Sequence, residues 1–95
     1  MSNTPENDAY RVEFASTAQR DLRGVPPRIV PAIIEFAYGD LARSPRRVGK
    51  PLQRDLEGLW GARRGPYRLI YEIFDERLVV LVIHVAHRAD VYRPR

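Results

Sequence analysis

The chain has 95 residues and a formal net charge of +4, enough for one domain with a modest core. It contains no cysteine, which excludes disulfides and cysteine-ligated metal sites, and its two histidines alone do not make a metal site. The first nine residues contain no hydrophobic signal region, and the longest apolar run, residues 78–83, is too short to cross a bilayer. We therefore expect a soluble, cytoplasmic protein without a metal site or a membrane span.

The charge is distributed unevenly along the chain. Residues 1–42 carry −2 and residues 43–95 carry +6, and all the basic residues except Lys50 are arginine. Arginine binds phosphate in a bidentate manner and stacks on bases, so a basic second half indicates a nucleic-acid partner, RNA in particular. A GC-rich genome also favours arginine over lysine, but it does not explain the concentration in the second half.

The first half predicts one strand and two helices. Residues 1–9 are predicted to be a flexible tail, and residues 10–14 alternate as a half-buried strand. Ser16 and Gln19 fit a capping box that begins the first helix, and Gly24 can end it. A second helix is expected to begin near Arg28, with an apolar stripe along residues 29–41.

The second half predicts a basic loop and three strands. Residues 44–51 contain proline, glycine and several cations, which is typical of a loop. Strands are expected at residues 56–60, 67–74 and 78–86, with a tight turn between the last two. The predicted fold is α+β: a compact single domain over residues 10–95, with an N-terminal strand, two helices and an antiparallel three-stranded meander.

A specific pattern covers residues 49–92. It contains G-K-P-L, then L-x-G-L-W-x-A-R-R-G-x-Y-R-L-I-Y, then a turn, an apolar strand and H-R-x-D-V-Y. In order and spacing, this pattern resembles the RelE/ParE toxin superfamily and, within it, the RelE branch. With the preceding strand and helices, the resemblance spans roughly residues 10–92.

The resemblance implies an activity and a set of partners. RelE-type toxins of type II toxin–antitoxin systems cut mRNA in the ribosomal A site without a metal or an organic cofactor, and so inhibit translation. The implied partners are the ribosome, mRNA and a cognate antitoxin that neutralises the toxin. Contact with DNA is expected only indirectly, through the antitoxin.

Metal-free RNA cleavage needs a base for the 2′-hydroxyl, cations for the five-coordinate phosphate and a proton for the leaving oxygen. By the resemblance, Arg68 and Arg88 match catalytic arginines, and Tyr92 matches the C-terminal active-site tyrosine, although its spacing from Arg88 is shorter than in some relatives. His87 is a candidate for proton transfer, with a surface histidine as the alternative. His84 is expected on the face of the strand shared with Val80 and Val82, where a neighbouring side chain satisfies it.

Further cations are candidates for RNA binding. Arg63 and Arg64 precede a Gly-Pro turn, and a basic cluster surrounds the predicted loop: Arg43, Arg46, Arg47, Lys50 and Arg54. Both groups are expected to contact RNA phosphates, with solvated loop residues as the alternative. The lysines that serve as catalysts in some relatives are replaced by Leu59 and Gly61, so the general base stays open. Asp55 or Glu57 could supply a carboxylate base, as in some relatives, but both are more simply explained as exposed charges at the edge of a strand.

Two other functions remain possible for this sequence. A ParE-like toxin on the same fold would inhibit DNA gyrase without cutting RNA. A non-catalytic protein with the toxin fold would act only in a co-repressor complex with its partner.

Overall fold

The computed structural model of the protein describes residues 9–88. The predicted tail, apart from Ala9, and Tyr92 lie outside the described residues. The helices and strands are β1 (Arg11–Phe14), α1 (Ser16–Arg23), α2 (Val30–Phe36), α3 (Pro45–Val48), β2 (Gly49–Pro51), β3 (Trp60–Arg64), β4 (Tyr67–Phe74) and β5 (Val79–His87). In the part of the chain that the structure describes, no helix is long and apolar enough to span a membrane.

The strands form one sheet in the order β1-β5-β4-β3-β2. From β2 to β5, each strand pairs antiparallel with the next strand in the chain. Strand β1 pairs in parallel with β5, and Val12 lies opposite Val80. The predicted α+β class and single domain are confirmed, since one mixed sheet packs against helices around a single core. The sheet differs from the predicted meander because it has four antiparallel strands instead of three.

The core lies on one face of the sheet, which we call the helix-covered face. Leu69, Tyr71, Val80 and Val82 on the central strands are fully buried there. The helices contribute the following fully buried residues: Ala18, Ile33, Ala37 and Leu41. Burying a leucine or valine side chain contributes roughly 1.5–3 kcal/mol, so this layer supplies most of the driving force for folding. The other face, which we call the open face, stays accessible to a ligand.

The second helix continues through an irregular turn. A π-helix spans Ala37–Leu41 directly after α2, and Gly39 lies at its centre. Glycine destabilises the interior of an α-helix, and the widened turn lies at this position. The turn keeps Ala37 and Leu41 in the core.

Two predictions for the second half are wrong. The predicted strand at residues 56–60 is a 3₁₀ turn, Arg54–Leu56, followed by β3, which begins only at Trp60. Positive φ angles at Arg54 (61°) and Gly58 (96°) take this segment out of extended geometry. The predicted basic loop is instead α3 followed by β2, because Gly49–Pro51 pairs with Trp60–Ala62 and becomes the edge strand.

The capping box is also wrong in detail. Ala15 is the N-cap of α1, no side chain caps this end, and Ser16 is the first helical residue. Gln19 does reach back, but its Nε2 donates to the carbonyl oxygen of Phe14 at 2.9 Å. The amide therefore fastens the helix to the end of β1. Gly24 ends the helix as predicted.

Candidate nucleic-acid interface

Three cations lie on neighbouring strands of the open face. Arg68 on β4 is directly opposite Arg63 on β3, and Lys50 on β2 is opposite Gly61 on β3. Since side chains alternate along a strand, these register positions put Lys50, Arg63 and Arg68 on the same side of the sheet. The two-residue turn Gly65-Pro66, with Gly65 at φ 61°, fixes the register that pairs the two arginines.

A groove of about 470 Å³ brings the three cations together. Its lining residues are Val48, Gly49, Lys50, Pro51, Leu52, Gly61, Arg63 and Arg68. None of the described residues that line it is acidic. Two arginines placed directly across a strand pair put two guanidinium groups at one end of the groove, and guanidinium groups bind phosphate. The groove therefore has the charge expected of a phosphate site.

Gly61 forms the floor of the groove. A Cβ at this position would lie 3.3 Å from Leu52 Cδ2 and 3.4 Å from Arg68 Cδ. The missing side chain thus lets Leu52 and Arg68 lie closely against this strand. By the family resemblance Gly61 only replaces a lysine, although a glycine inside a strand is itself a signal of close approach.

Arg88 lies just beyond β5, beside the β3–β4 turn. Its backbone N–H donates to the carbonyl oxygen of Pro66 at 2.7 Å, and its side chain is exposed. Arg88 is two positions after Ala86, which is opposite Arg68. Arg88 and Arg68 are therefore close in the sheet. Tyr92, which was also predicted to be catalytic, lies outside the described residues.

His87 and Arg64 occupy the opposite side of the sheet. Both are register partners of Tyr67, whose side chain is buried on the helix-covered face. The His87 ring meets the Tyr67 ring edge to face, with the ring centroids 5.2 Å apart. The structure thus does not bring His87 together with Arg68. Arg64 instead contributes to a second groove of mixed charge, together with Glu35, Asp40, Arg43 and Arg63.

Arg46 is engaged in an ion pair rather than in the groove. Its guanidinium donates to both carboxylate oxygens of Asp75, at 3.0 and 2.7 Å, and lies 5.8 Å from the centroid of the Trp60 ring. The Tyr10 hydroxyl donates to the same carboxylate at 2.6 Å. The hydrogen bonds from Arg46 and, to a smaller extent, from Tyr10 lower the pKa of Asp75 from 3.8 to about 2.

The other predicted RNA-binding cations are Arg47 and Arg54, and both are exposed. Arg47 lies in α3 and Arg54 in the 3₁₀ turn, outside the lining of the groove. Asp55 and Glu57 are exposed around the same turn. Among residues 9–88, no three histidine or carboxylate side chains are grouped closely enough to hold a metal ion.

His84 lies on the open face, not with Val80 and Val82 as predicted. On β4, Ile70 pairs with His84 of β5, but the next residue, Tyr71, pairs with Val82. Ile83 is therefore an extra residue on β5 and forms a bulge. The prediction that a neighbour satisfies this histidine is confirmed. Asp21 of α1 lies 3.0 Å from His84 Nδ1, and the same carboxylate oxygen accepts the N–H of Val85.

Comparisons with known proteins identify relatives over most of the chain. Residues 12–92 match the sequence model of a family described as the ParE toxin of type II toxin–antitoxin systems, parDE. Toxin RelG of Mycobacterium tuberculosis is 58% identical over 84 residues, covering 88% of this chain and 97% of the relative. Toxin RelE of the same organism is 47% identical over 88 residues, covering 93% and 91%.

A solved structure gives the same result at the level of the fold. The toxin–antitoxin complex RelBE2 of M. tuberculosis contains a chain that superposes with a TM-score of 0.82 at 57% identity, covering 86% of this chain and 94% of that chain. The family model and these relatives cover nearly all of the described sheet and its helices. The chain belongs to the RelE/ParE superfamily of toxins from type II toxin–antitoxin systems, in its RelE branch.

Proposed function

We propose that this toxin is a ribosome-dependent, metal-independent mRNA endonuclease that inhibits translation in the cytoplasm. The observation that carries the proposal is the groove on the open face, where Lys50, Arg63 and Arg68 meet around Gly61 without an acidic residue in its lining. Fixed cations in a partly enclosed groove are suited to the charge that develops on a phosphate during transfer.

The reaction begins when the 2′-hydroxyl of one nucleotide loses its proton and attacks the adjacent phosphorus atom. Arg68 and Arg63 stabilise the extra negative charge of the five-coordinate phosphate, because guanidinium groups stay charged and match phosphate geometry. The bond from phosphorus to the 5′-oxygen then breaks, and that oxygen takes up a proton. Arg88, beside the same turn, is assigned to the same phosphate.

The proton-transfer groups stay predictions. His87 has the right chemistry, but its register position on the helix-covered face separates it from Arg68. Tyr92 follows Arg88 by four positions in the sequence and is assigned to base stacking or proton transfer on the strength of the family resemblance. A ribosomal group that completes the site would explain a dependence on the ribosome.

We further propose that a cognate antitoxin neutralises this toxin. The related RelBE2 structure is a toxin–antitoxin complex, at 57% identity to this chain. Any DNA contact of the complex is assigned to the antitoxin.

The test is primer extension on a reporter mRNA in a translating extract. Wild-type protein should produce cuts only when ribosomes are present, and Arg68→Ala should lower the rate by about 100-fold or more, since it removes a preorganised charge. Arg88→Ala should act in the same direction. Uncut mRNA with undisturbed translation would contradict the proposal.

Arg11→Ala is the matched control. Arg11 has the same charge and lies on the same face of the sheet, but on β1 at the far edge, where it pairs with Glu13. This variant should cleave at the wild-type rate. If Arg11→Ala and Arg68→Ala lost activity equally, general electrostatic attraction would explain the effect and the groove would not be the site.

Inhibition of DNA gyrase is the second candidate function, because the matching family model is named for ParE toxins. If the protein inhibits gyrase, purified gyrase should lose its supercoiling activity when the protein is added. The mRNA in a translating extract should then stay intact. Wild-type protein that cuts mRNA and leaves supercoiling unchanged would exclude it.

A further inference from the structure

The groove on the open face has two chemically different walls. Arg63 and Arg68 form a cationic wall, and Val48, Pro51 and Leu52 form an apolar wall on the β2 side. Lys50 lies between them on the edge strand. A site for phosphate alone needs only the cationic wall, so the apolar wall requires a separate explanation.

Gly61 joins the two walls. A Cβ placed on Gly61 would lie 3.3 Å from Leu52 Cδ2, tighter than ordinary van der Waals contact, and 3.4 Å from Arg68 Cδ, so both side chains lie against this glycine. A flat group packed against the exposed side of Leu52 would therefore lie near the side chain of Arg68. The groove volume, about 470 Å³, lies within the range of ordinary small-molecule sites.

The apolar wall is rigidly held. The N–H of Leu52 donates to the carbonyl oxygen of Leu59 at 2.8 Å, and Gly49–Pro51 is hydrogen-bonded along β3. Val48 packs against the core. Because a preformed wall does not need to be ordered on binding, it can discriminate between ligands by shape.

We propose that this groove binds one ribonucleotide of the RNA substrate, with the phosphate on Arg63 and Arg68 and the nucleobase against Val48, Pro51 and Leu52. Phosphate contacts carry no sequence information, whereas contacts to bases do. The segment Val48–Leu52 therefore determines which sites in an RNA are cut, and the arginines determine how fast all sites are cut. This inference rests on the proposed nuclease function.

The first test maps the cut sites of wild-type protein and Leu52→Ala on the same set of mRNAs with ribosomes. Removing part of an apolar wall changes discrimination by roughly tenfold, so the ratio of cutting between strong and weak sites should change by about that factor. Arg68→Ala should instead lower cutting at every site in proportion. An unchanged ratio in a folded Leu52→Ala protein would overturn the inference while leaving the nuclease function intact.

Leu56→Ala is the matched control for the loss of a leucine. Leu56 is close in sequence and 43% exposed, but it is not part of the lining of the groove. Its cut sites should match those of the wild type. An equal change in both variants would show that the effect does not depend on the lining of the groove and would overturn the assignment of Leu52.

The second test does not depend on cleavage. Free toxin, with methyl groups isotopically labelled, is titrated by NMR with adenosine 3′-monophosphate, guanosine 3′-monophosphate and ribose 5-phosphate. Both nucleotides should shift the Leu52 and Val48 methyl signals, and ribose 5-phosphate, which has no base, should not. Equal methyl shifts with all three compounds, or none with the nucleotides, would overturn the base site even if wild-type protein cleaved RNA. Selective shifts in a protein that cut no RNA would support the nucleotide site and contradict the nuclease function.

Discussion

At the scale of single residues, one buried hydroxyl holds the strand that carries Lys50. Tyr71 is fully buried, and its hydroxyl donates to the carbonyl oxygen of Pro45 at 2.6 Å. The hydroxyl passes over Gly49, where any Cβ would overlap it and would lie 2.9 Å from the carbonyl oxygen of Gly61. Gly49 is therefore required for close approach, and the contact fastens the junction of α3 and β2 to the centre of the sheet.

Tyr71→Phe should lower the free energy of unfolding by about 1–2 kcal/mol, because the buried Pro45 carbonyl loses its donor. Burial also raises the pKa of Tyr71 from 10.0 to about 12. The wild type therefore keeps the stabilisation by the Tyr71 hydroxyl below pH 10 and loses it as the pH rises toward 12. The difference in the free energy of unfolding between the two proteins should narrow in that pH range. Urea unfolding at several pH values measures both effects.

Tyr38→Phe makes the same chemical change at a site that is 56% exposed. It should change stability by less than about 0.5 kcal/mol. A Tyr71→Phe protein as stable as Tyr38→Phe would show that the hydrogen bond to Pro45 contributes nothing.

At the scale of elements, the sequence predicts the strands in which apolar and polar residues alternate clearly. It misses the strands that form only because a neighbouring strand pairs with them. β1 and β4 alternate clearly, and their predicted and observed positions agree. β3 has the sequence WGARR, in which glycine and two arginines hide the alternation, and it is a strand because β4 is beside it. β2 has three residues and exists only through its bonds to β3.

The turn between β4 and β5 contains a strained residue. Leu78 has a φ of 53°, in the left-handed region that glycine adopts freely, and its side chain is 42% exposed. A non-glycine residue in this region costs about 1–2 kcal/mol, so Leu78→Gly should raise the free energy of unfolding by about 1 kcal/mol. Thermal or urea unfolding measures the change.

Leu56→Gly is the control for this substitution, since Leu56 is equally exposed but is not among the residues with positive φ. It should lower stability by about 0.5–1 kcal/mol, the usual cost of added chain entropy. If both substitutions destabilised the protein, strain at Leu78 would be too small to matter.

At the scale of the whole molecule, one polar cluster links parts that are distant in the chain. Tyr10 before β1, Arg46 in α3 and Asp75 after β4 share hydrogen bonds, with Tyr10 and Asp75 65 positions apart. The cluster closes one end of the sheet. Arg46 was predicted to bind RNA, and its bidentate bond to Asp75 competes with any phosphate for the same donors.

Asp75→Asn should lower stability at neutral pH and have no effect in strong acid. The pKa of Asp75 falls from 3.8 in the unfolded chain to about 2 in the fold, chiefly through the Arg46 hydrogen bonds. Its contribution is therefore complete above about pH 4 and lost as the pH falls toward 2. Urea unfolding of both proteins from pH 7 to pH 2 tests this.

The control for this pH dependence removes Arg46, the partner of Asp75. In an Arg46→Met background, Asp75→Asn should have a much smaller effect, and its pH dependence should largely disappear. A full effect in that background would mean that Asp75 acts through Tyr10 or through solvent rather than through Arg46.

In the candidate site, too, the sequence predicts the residues but not the strand pairing that brings them together. Arg63, Arg68 and Lys50 were each singled out by charge and motif, and the sequence gives no means of placing them in one groove. Their proximity depends on the register of three strands, which the Gly65-Pro66 turn and the Gly49–Ala62 pairing fix. The bulge at Ile83, which reverses the direction of His84, has no signal in an unbroken apolar run.

The position of β5 between β1 and β4 has a consequence for the time order of synthesis and folding. Thr17 of α1 donates to the carbonyl oxygen of Ile83, 66 positions further along the chain, and β1 has no sheet partner other than β5 among the described strands. Contacts of such long sequence separation form late and slow the folding of small proteins. A growing polypeptide therefore leaves the translating ribosome with β1 unpaired and one side of β4 bare until β5 emerges. The cell that makes this toxin thus has an interval in which the chain exists without its finished sheet.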